Sequence, residues 1–409
     1  MRVLFLAPRL PHYRSISGSH IIYQRIRRLM DAGHEVGVAC FMNDADEYNR
    51  SKAPEDLLEL YSIHEPSKQY FKPQYLKYGP ASEASSFARY YYPPMMKVVG
   101  EMVQRSRYDV VVAEYAAMGQ YFYRNPYLPA VRKVVSVHES ATLNCRRIME
   151  LHSHSNEKLK NAWRLIQVRD IEMRIYRAAD RVLTLTPEEK QGILNECPDL
   201  DITVVPSGVD VTLFRPDESV PEEDALVFTG RFTNEQNQDA VRWFVHEVWP
   251  RLKRQRPELK FYIVGRMPTP EMITLASKDD RLILAQDVKD VQPYLNRAKI
   301  FVCPVRTGTG LRGKVLEAMA CGLPVVTTTV GSEGIPFHVG RTGFIADTPS
   351  VMQRYIELLL DDAPLRARIG QAARQVAEQR YSWAQSVNSL DETLQEVVAH
   401  RHYDYSRIA

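Results

Sequence analysis

The residues best suited to chemistry lie in one stretch, 299–335, KIFVCPVRTGTGLRGKVLEAMACGLPVVTTTVGSEGI. Gly308, Gly310 and Gly313 form a G-x-G-x-x-G turn after a short apolar run, 300–305. A segment rich in Leu, Ala, Met and Glu follows at 314–321, halted by Gly322 and Pro324, and then a β-branched run at 325–329. Strand, glycine turn, helix and strand make one βαβ unit with a parallel sheet. Such a turn offers free backbone N–H groups at the positive end of a helix, which suits a phosphate or diphosphate. Arg312 and Lys314 add two cations there, and Glu317 is expected in the first helical turn. Its carboxylate would accept two hydrogen bonds from a ribose diol, or would simply favour the positive helix end. With Glu333 twenty residues past Gly313, the same letters also satisfy the fingerprint of an NAD-dependent dehydrogenase. The short helix and the two basic residues at its start weigh against that alternative.

Two further residues stand at strand ends, where open parallel sheets bind ligands. His138 follows the run 134–137, and Arg231 follows Gly230 after the run 226–228. An arginine at such a point can pair with phosphate. His152 and His154 lack a third ligand in any metal-binding spacing, so no metal site is expected.

The elements that must hold these groups alternate between strand and helix along the whole chain. The first half reads as strand 3–7, a loop 8–19, helix 21–32 and strand 34–41. Strands follow at 108–113, 134–137, 181–185 and 202–205, with a long basic helix at 161–179. Residues 43–107 are less regular and carry Tyr70, Phe71, Tyr75, Tyr78, Phe87, Tyr90, Tyr91 and Tyr92 among Lys68, Lys72, Lys77, Arg89 and Lys97. They read as helices packed on the sheet, or as a surface for an acceptor or an anionic membrane. An acidic stretch with a proline, 217–224, reads as a linker. The second half repeats the pattern, with a helix at 239–253, a strand at 260–264, the glycine unit, and helices to about residue 398.

At 409 residues and 44% hydrophobic, the chain has enough apolar content for two cores. Its formal charge of +3 is too small to argue for nucleic acid. Five scattered cysteines without a CxxC argue against a disulfide framework and fit a reducing cytoplasm. The opening MRVLFLAPRLP breaks at Pro8, so it reads as a strand and not a signal peptide, and no run is apolar enough to span a membrane.

The order VVPSGVD (204–210), FTGR (228–231), IVGR (263–266), KVLEAMACGLPVVTT and GSEGI resembles the retaining glycosyltransferases of family 4. The match covers most of 200–385, and the N-terminal half matches weakly through APRLPHYRSISG, His138-Glu139 and the helix around Glu172 to Asp180. The resemblance implies a GT-B fold, two Rossmann-like doubly wound α/β domains facing across a cleft. Residues 1–205 would bind the acceptor and 206–381 the nucleotide-sugar donor, with a helix at about 382–400 returning to the first domain. Arg231 and the turn residues Thr309, Gly310, Leu311, Arg312, Gly313 and Lys314 would hold the diphosphate, and Glu317 the ribose. Val288 would meet the base, Gly265 would line the donor site, and Gly18 would approach the donor phosphates. His138, Arg231 and Lys314 would be the catalytic groups. No metal or cofactor is implied, because the substrate is itself a nucleoside diphosphate sugar, with UDP or GDP expected. The acceptor would be a glycan, a lipid-linked saccharide or a small molecule, and the protein cytoplasmic, with peripheral contact at the inner membrane face if the acceptor is lipid-linked.

Two positions depart from the family pattern. Thr309 stands eight residues before Glu317, where a second glutamate is usual. Gln236, with Asn237 next, stands where a lysine is usual, five residues after Arg231. Arg312 and Lys314 would restore the missing cation, as in a bacterial polysaccharide-type subgroup with G-x-R-x-K before LEAMA. A sugar-nucleotide epimerase and a non-catalytic sugar-nucleotide binding module, both of the same fold, remain alternatives.

Overall fold

The computed structural model describes residues 1–13, 18–44, 46, 49–65, 84–151 and 155–399. The chain divides into two compact units, Met1–Pro206 with the segment from Ser386 onward, and Ser207–Gln385.

The first unit is built on a seven-stranded, wholly parallel sheet in the order β3-β2-β1-β4-β5-β6-β7. Its strands are β1 (Arg2–Ala7), β2 (Glu35–Met42), β3 (Glu59–His64), β4 (Val110–Glu114), β5 (Arg132–Val137), β6 (Arg181–Thr184) and β7 (Ile202–Val204). Successive side chains of a strand point to opposite faces, and β1 shows the result. Leu4 and Leu6 join one apolar cluster, while Val3, Phe5 and Ala7 join the other. Both faces are therefore covered, as in βαβ architectures generally. The helix Gly18–Asp31 supplies Ile22, Ile26 and Leu29 to the second cluster. The last described helix, Trp383–Ala399, adds Val387, Leu390, Leu394 and Val397 to it.

The second unit carries six parallel strands in the order β10-β9-β8-β11-β12-β13. They are β8 (Ala225–Arg231), β9 (Lys260–Arg266), β10 (Leu282–Gln286), β11 (Ile300–Cys303), β12 (Val325–Thr327) and β13 (Phe344–Ile345). In both sheets the order reverses beside the first strand, between β1 and β4 and between β8 and β11. The crevice at the strand C-termini of such a reversal is where these folds bind ligands.

The structure differs from the sequence reading in several places. The segment read as one helix over 239–253 is three pieces: an α-helix Glu235–Trp243, a π-helical segment Phe244–Val248, and an α-helix Trp249–Gln255. Pro250 has no N–H to give to a continuous ladder, and it stands at the start of the third piece, where none is required. β3 lies in the stretch read as irregular; it is an edge strand with half-exposed residues and so shows no apolar alternation. That stretch also holds the helices Ala84–Arg89 and Pro93–Ser106. Lys68, Tyr70, Phe71, Lys72, Tyr75, Lys77 and Tyr78 lie outside the described residues, as do His152 and His154.

Candidate active site

In the second unit the groups converge where β8 and β11 part. β11 runs into the glycine turn, in which Gly308 and Gly310 take φ of 89° and 83°, a region open to glycine at little cost. The turn ends in the helix Gly313–Ala320. The helix Glu235–Trp243, which follows β8, brings its first turn to the same place. A Cβ on Gly308 would lie 1.8 Å from Gln236 Oε1, so only a glycine lets the amide come so near. Lys314 Nζ donates to Asn237 Oδ1 at 2.6 Å and lies 4.3 Å from the centre of the Phe228 ring. Asn237 Nδ2 in turn donates to the carbonyl of Arg231 at 2.8 Å. Gly230 leaves the space, since its Cβ would sit 3.1 Å from both Lys314 Nζ and Asn237 Nδ2. Gly265 does the same for the strands, as its Cβ would come within 1.7 Å of the Gly230 carbonyl oxygen.

Arg312 is used differently from the free cation that the sequence suggests. Its Nη1 donates to the Thr309 carbonyl and its Nη2 to the Thr307 carbonyl, both at 3.1 Å, so the guanidinium braces the turn from within. Arg231 is exposed at the end of β8. Thr309 Oγ1 and Gln236 Oε1 are buried with no hydrogen-bond partner. Buried polar atoms are normally satisfied, so two such orphans beside a phosphate-type turn mark a place for ligand groups. Leu311 and Val288 pack against the apolar core of the same unit.

Glu317 is the fifth residue of its helix and not in the first turn, because the helix begins at Gly313. Attraction to the helix end falls off within that first turn, so it does not account for this carboxylate. Burial raises the Glu317 carboxyl to about 7, with Lys314 pulling it down. Burial likewise lowers the Lys314 ammonium to about 8.

In the first unit His138 follows β5 and is buried. Its Nε2 lies 2.6 Å from Glu114 Oε2, and its ring stacks on Tyr115 with centroids 4.2 Å apart. Glu114, the last residue of β4, is wholly buried against Arg25, whose Nη1 reaches both carboxylate oxygens at 3.1 Å and Ser136 Oγ at 2.6 Å. Burial pushes the Glu114 carboxyl up, but Arg25 and His138 outweigh it and leave it at about 2. Burial lowers the His138 imidazole, against the pull of Glu114. Gly18 opens the helix that carries Arg25, and a Cβ there would meet the Tyr115 hydroxyl at 1.6 Å. In this structure, then, the missing side chain of Gly18 makes room for Tyr115.

Family models match both units: Glycosyltransferase Family 4 over residues 19–213 and Glycosyl transferases group 1 over residues 223–362. The chain belongs to glycosyltransferase family 4. It is 29% identical to alpha-maltose-1-phosphate synthase of Mycolicibacterium smegmatis over 294 residues, which is 61% of this chain and 73% of the relative. Sucrose-phosphate synthase from Thermosynechococcus elongatus superposes with a TM-score of 0.73 at 17% identity, covering 98% of this chain and all (100%) of the other. Anabaena Alr3699/HepE in complex with UDP-glucose gives 0.65 at 15% identity, over 97% and 100% of the two chains. The structural likenesses establish the GT-B fold, and it is the family model over 223–362 that assigns the glycine turn to a glycosyltransferase, which leaves the dehydrogenase alternative without support.

The sequence reading of this glycosyltransferase missed the acids behind His138. The expected strand stopped at residue 113, one short of Glu114. A charged residue ending the run VVVAE was the available signal, and Arg25, seven residues into an amphipathic helix, gave none. It also gave no role to two buried carboxylates beyond His138. Glu189 Oε1 accepts the Ser140 N–H at 2.8 Å, and Glu172 accepts the N–H groups of Ala141 and Thr142, each at 3.0 Å. Together they cap the helix Ala141–Leu151. Burial raises Glu189 to about 8.

Among the described residues no group of three or more His, Cys, Asp or Glu is placed to hold a metal ion, and no helix is long and apolar enough to cross a membrane. All five cysteines are buried.

Proposed function

We propose that this enzyme transfers a sugar, with retention of anomeric configuration, from a nucleoside diphosphate sugar bound by the second unit to a glycan, lipid-linked or small-molecule acceptor bound by the first. The observation that carries the reading is Lys314. Its ammonium is held by Asn237 at the mouth of a glycine turn that opens a helix. A diphosphate there would receive the turn's N–H groups, Lys314 and Arg231, while the Glu317 carboxylate would accept from the ribose diol. As the glycosidic bond breaks, negative charge grows on the leaving diphosphate. Cations already fixed at that point lower the barrier without reorganising. The departing phosphate oxygen would take the proton of the incoming hydroxyl on the same face, so no protein nucleophile and no cofactor is called on. UDP is the first nucleotide to test, because HepE, of the same fold, was crystallised with UDP and UDP-glucose. The enzyme would work in the cytoplasm, and at the membrane surface if its acceptor is lipid-linked.

Titration calorimetry with UDP, GDP and NAD, followed by turnover with a panel of UDP- and GDP-sugars, tests this. Binding of a nucleoside diphosphate with transfer and anomeric retention is the expected result. Binding of NAD alone, or binding without turnover of any donor, would overturn it. His138→Ala should impair transfer and leave nucleotide affinity unchanged.

A further inference from the structure

The buried charges behind His138 do more than hold the sheet together. We propose that Glu114, clamped by Arg25, is a positioning residue: it fixes His138 in the tautomer protonated on Nε2 and so presents Nδ1 as a bare acceptor to a hydroxyl of the acceptor that the first unit binds. This rests on the proposed role of His138 in transfer.

Three observations converge. His138 Nε2 stands 2.6 Å from Glu114 Oε2, a distance at which a ring N–H donates to a carboxylate. The carboxylate is kept ionised by Arg25, which contacts both of its oxygens and is itself wholly buried. With Nε2 carrying the proton, a neutral ring has its lone pair on Nδ1. His138 Nδ1 is buried and has no hydrogen-bond partner.

Tyr115 completes the fixation. It lies nearly parallel to the imidazole, at 18°, and so prevents the ring from tipping. Tyr115 holds φ 72° and ψ 144°, an unusual conformation for a bulky residue. Such backbone departures cluster at functional sites. Gly18 leaves the room that the Tyr115 hydroxyl needs. The imidazole is thus held at its edge by Glu114 and on its face by Tyr115, and the remaining nitrogen is left unused.

The groups facing the imidazole all belong to one network: Glu114 from β4, Arg25 from the helix after β1, Ser136 from β5 and Tyr115. Loss of the Glu114 charge should therefore lower the histidine's pKa further, since that charge favours the imidazolium and Arg25 opposes it.

The test begins with nitrogen-15 NMR of the imidazoles in the full chain, with His138→Gln as the assignment control. The expected spectrum shows His138 neutral at pH 7, with the proton on Nε2. A proton on Nδ1, or a ring exchanging between tautomers, overturns the proposal whatever the enzyme's activity. Glu114→Gln should reduce kcat about 10–100-fold, as loss of an orienting partner does at comparable sites. It should leave nucleotide affinity unchanged and move the titration of the His138 imidazole, followed by the same nitrogen-15 signals, to lower pH. An unmoved titration overturns the proposal. If Glu114→Gln does not fold, Glu114→Asp, which draws the carboxylate back from the ring, should give a mixed tautomer signal, and an unchanged signal overturns the proposal. If His138→Ala transfers normally, the role of His138 in the proposed function falls; the tautomer measurement still decides the role of Glu114.

Discussion

The two candidate sites use charge in opposite ways. In the first unit Arg25, Glu114 and His138 are buried and bonded in a chain, and one ring nitrogen, His138 Nδ1, is left without a hydrogen-bond partner. In the second unit the cations are held by neutral groups. Lys314 rests on an amide and an aromatic face, and Arg312 on two carbonyls. A buried ion pair has its charges compensated before any ligand arrives and costs much to break. A cation held by neutral partners keeps its charge uncompensated, which is what an anionic ligand requires. The first arrangement therefore orients, and the second attracts.

This contrast can be broken most severely at Lys314. Lys314→Ala should reduce turnover by about 10²–10³-fold, the usual loss for one group that stabilises a developing oxyanion. Nucleotide affinity should fall much less, as steady-state kinetics beside calorimetry would show. An equal loss in both would mean that Lys314 binds ground state and transition state alike.

Glu317 is an acid at the attracting site, and Glu317→Ala should weaken nucleotide binding by tenfold or more, from the loss of charge-assisted hydrogen bonds of about 1.5–3 kcal/mol each. Its melting temperature should hardly change. Unaltered affinity in calorimetry would remove the ribose from its role.

The pH dependence sharpens the same point. With the Glu317 carboxyl near 7 in the free enzyme, a diol that prefers the carboxylate binds better as pH rises. Affinity for a nucleotide sugar, whose diphosphate does not titrate in this range, should be about fivefold weaker at pH 6 than at pH 7, and should fall again as the Lys314 ammonium loses its proton near 8. Glu317→Gln should abolish the rise from pH 6 to pH 7.

The smallest effect belongs to the orienting unit. Glu189 is raised to about 8 when folded, so between its unfolded value and 8 the native state holds a proton that the unfolded chain releases. Stability is accordingly lost as pH rises across that window. Glu189→Gln keeps an oxygen for the Ser140 N–H and removes the ionisation. It should melt a few degrees higher than the parent at pH 8 and no higher at pH 5, by calorimetric scanning.

Much of the attracting site was legible because it is local. Gly308 to Glu317 are contiguous, and both the glycine spacing and the basic residues can be read off one line. What could not be read there was direction: nothing in the letters says that Arg312 turns inward to carbonyls or that Lys314 reaches Asn237, 77 residues away in the chain. The orienting site was legible only at His138, since its other members come from separate elements; Arg25 and Glu114 are 89 residues apart. The parallel sheets followed from the strand and helix alternation. The edge strand β3 and the two-residue β13 were not found, because neither has the buried apolar run that marks an interior strand.

The helix Trp383–Ala399 gives the molecule an order of assembly. The first unit takes up the chain again at Ser386, and Val387, Leu390, Leu394 and Val397 fill a core shared with β1 and β2. Ser386 Oγ bonds the Pro206 carbonyl at 2.7 Å, and His34 Nε2 meets Asp391 at 2.9 Å. The second unit, contiguous from Ser207 to Gln385, can complete its core while still attached to a ribosome. The first unit, although synthesised first, must wait with an apolar face uncovered until the helix Trp383–Ala399 has been read. Nascent chains stalled near residue 206 should therefore be taken up by chaperones and cut readily by protease, and release should come only with that helix.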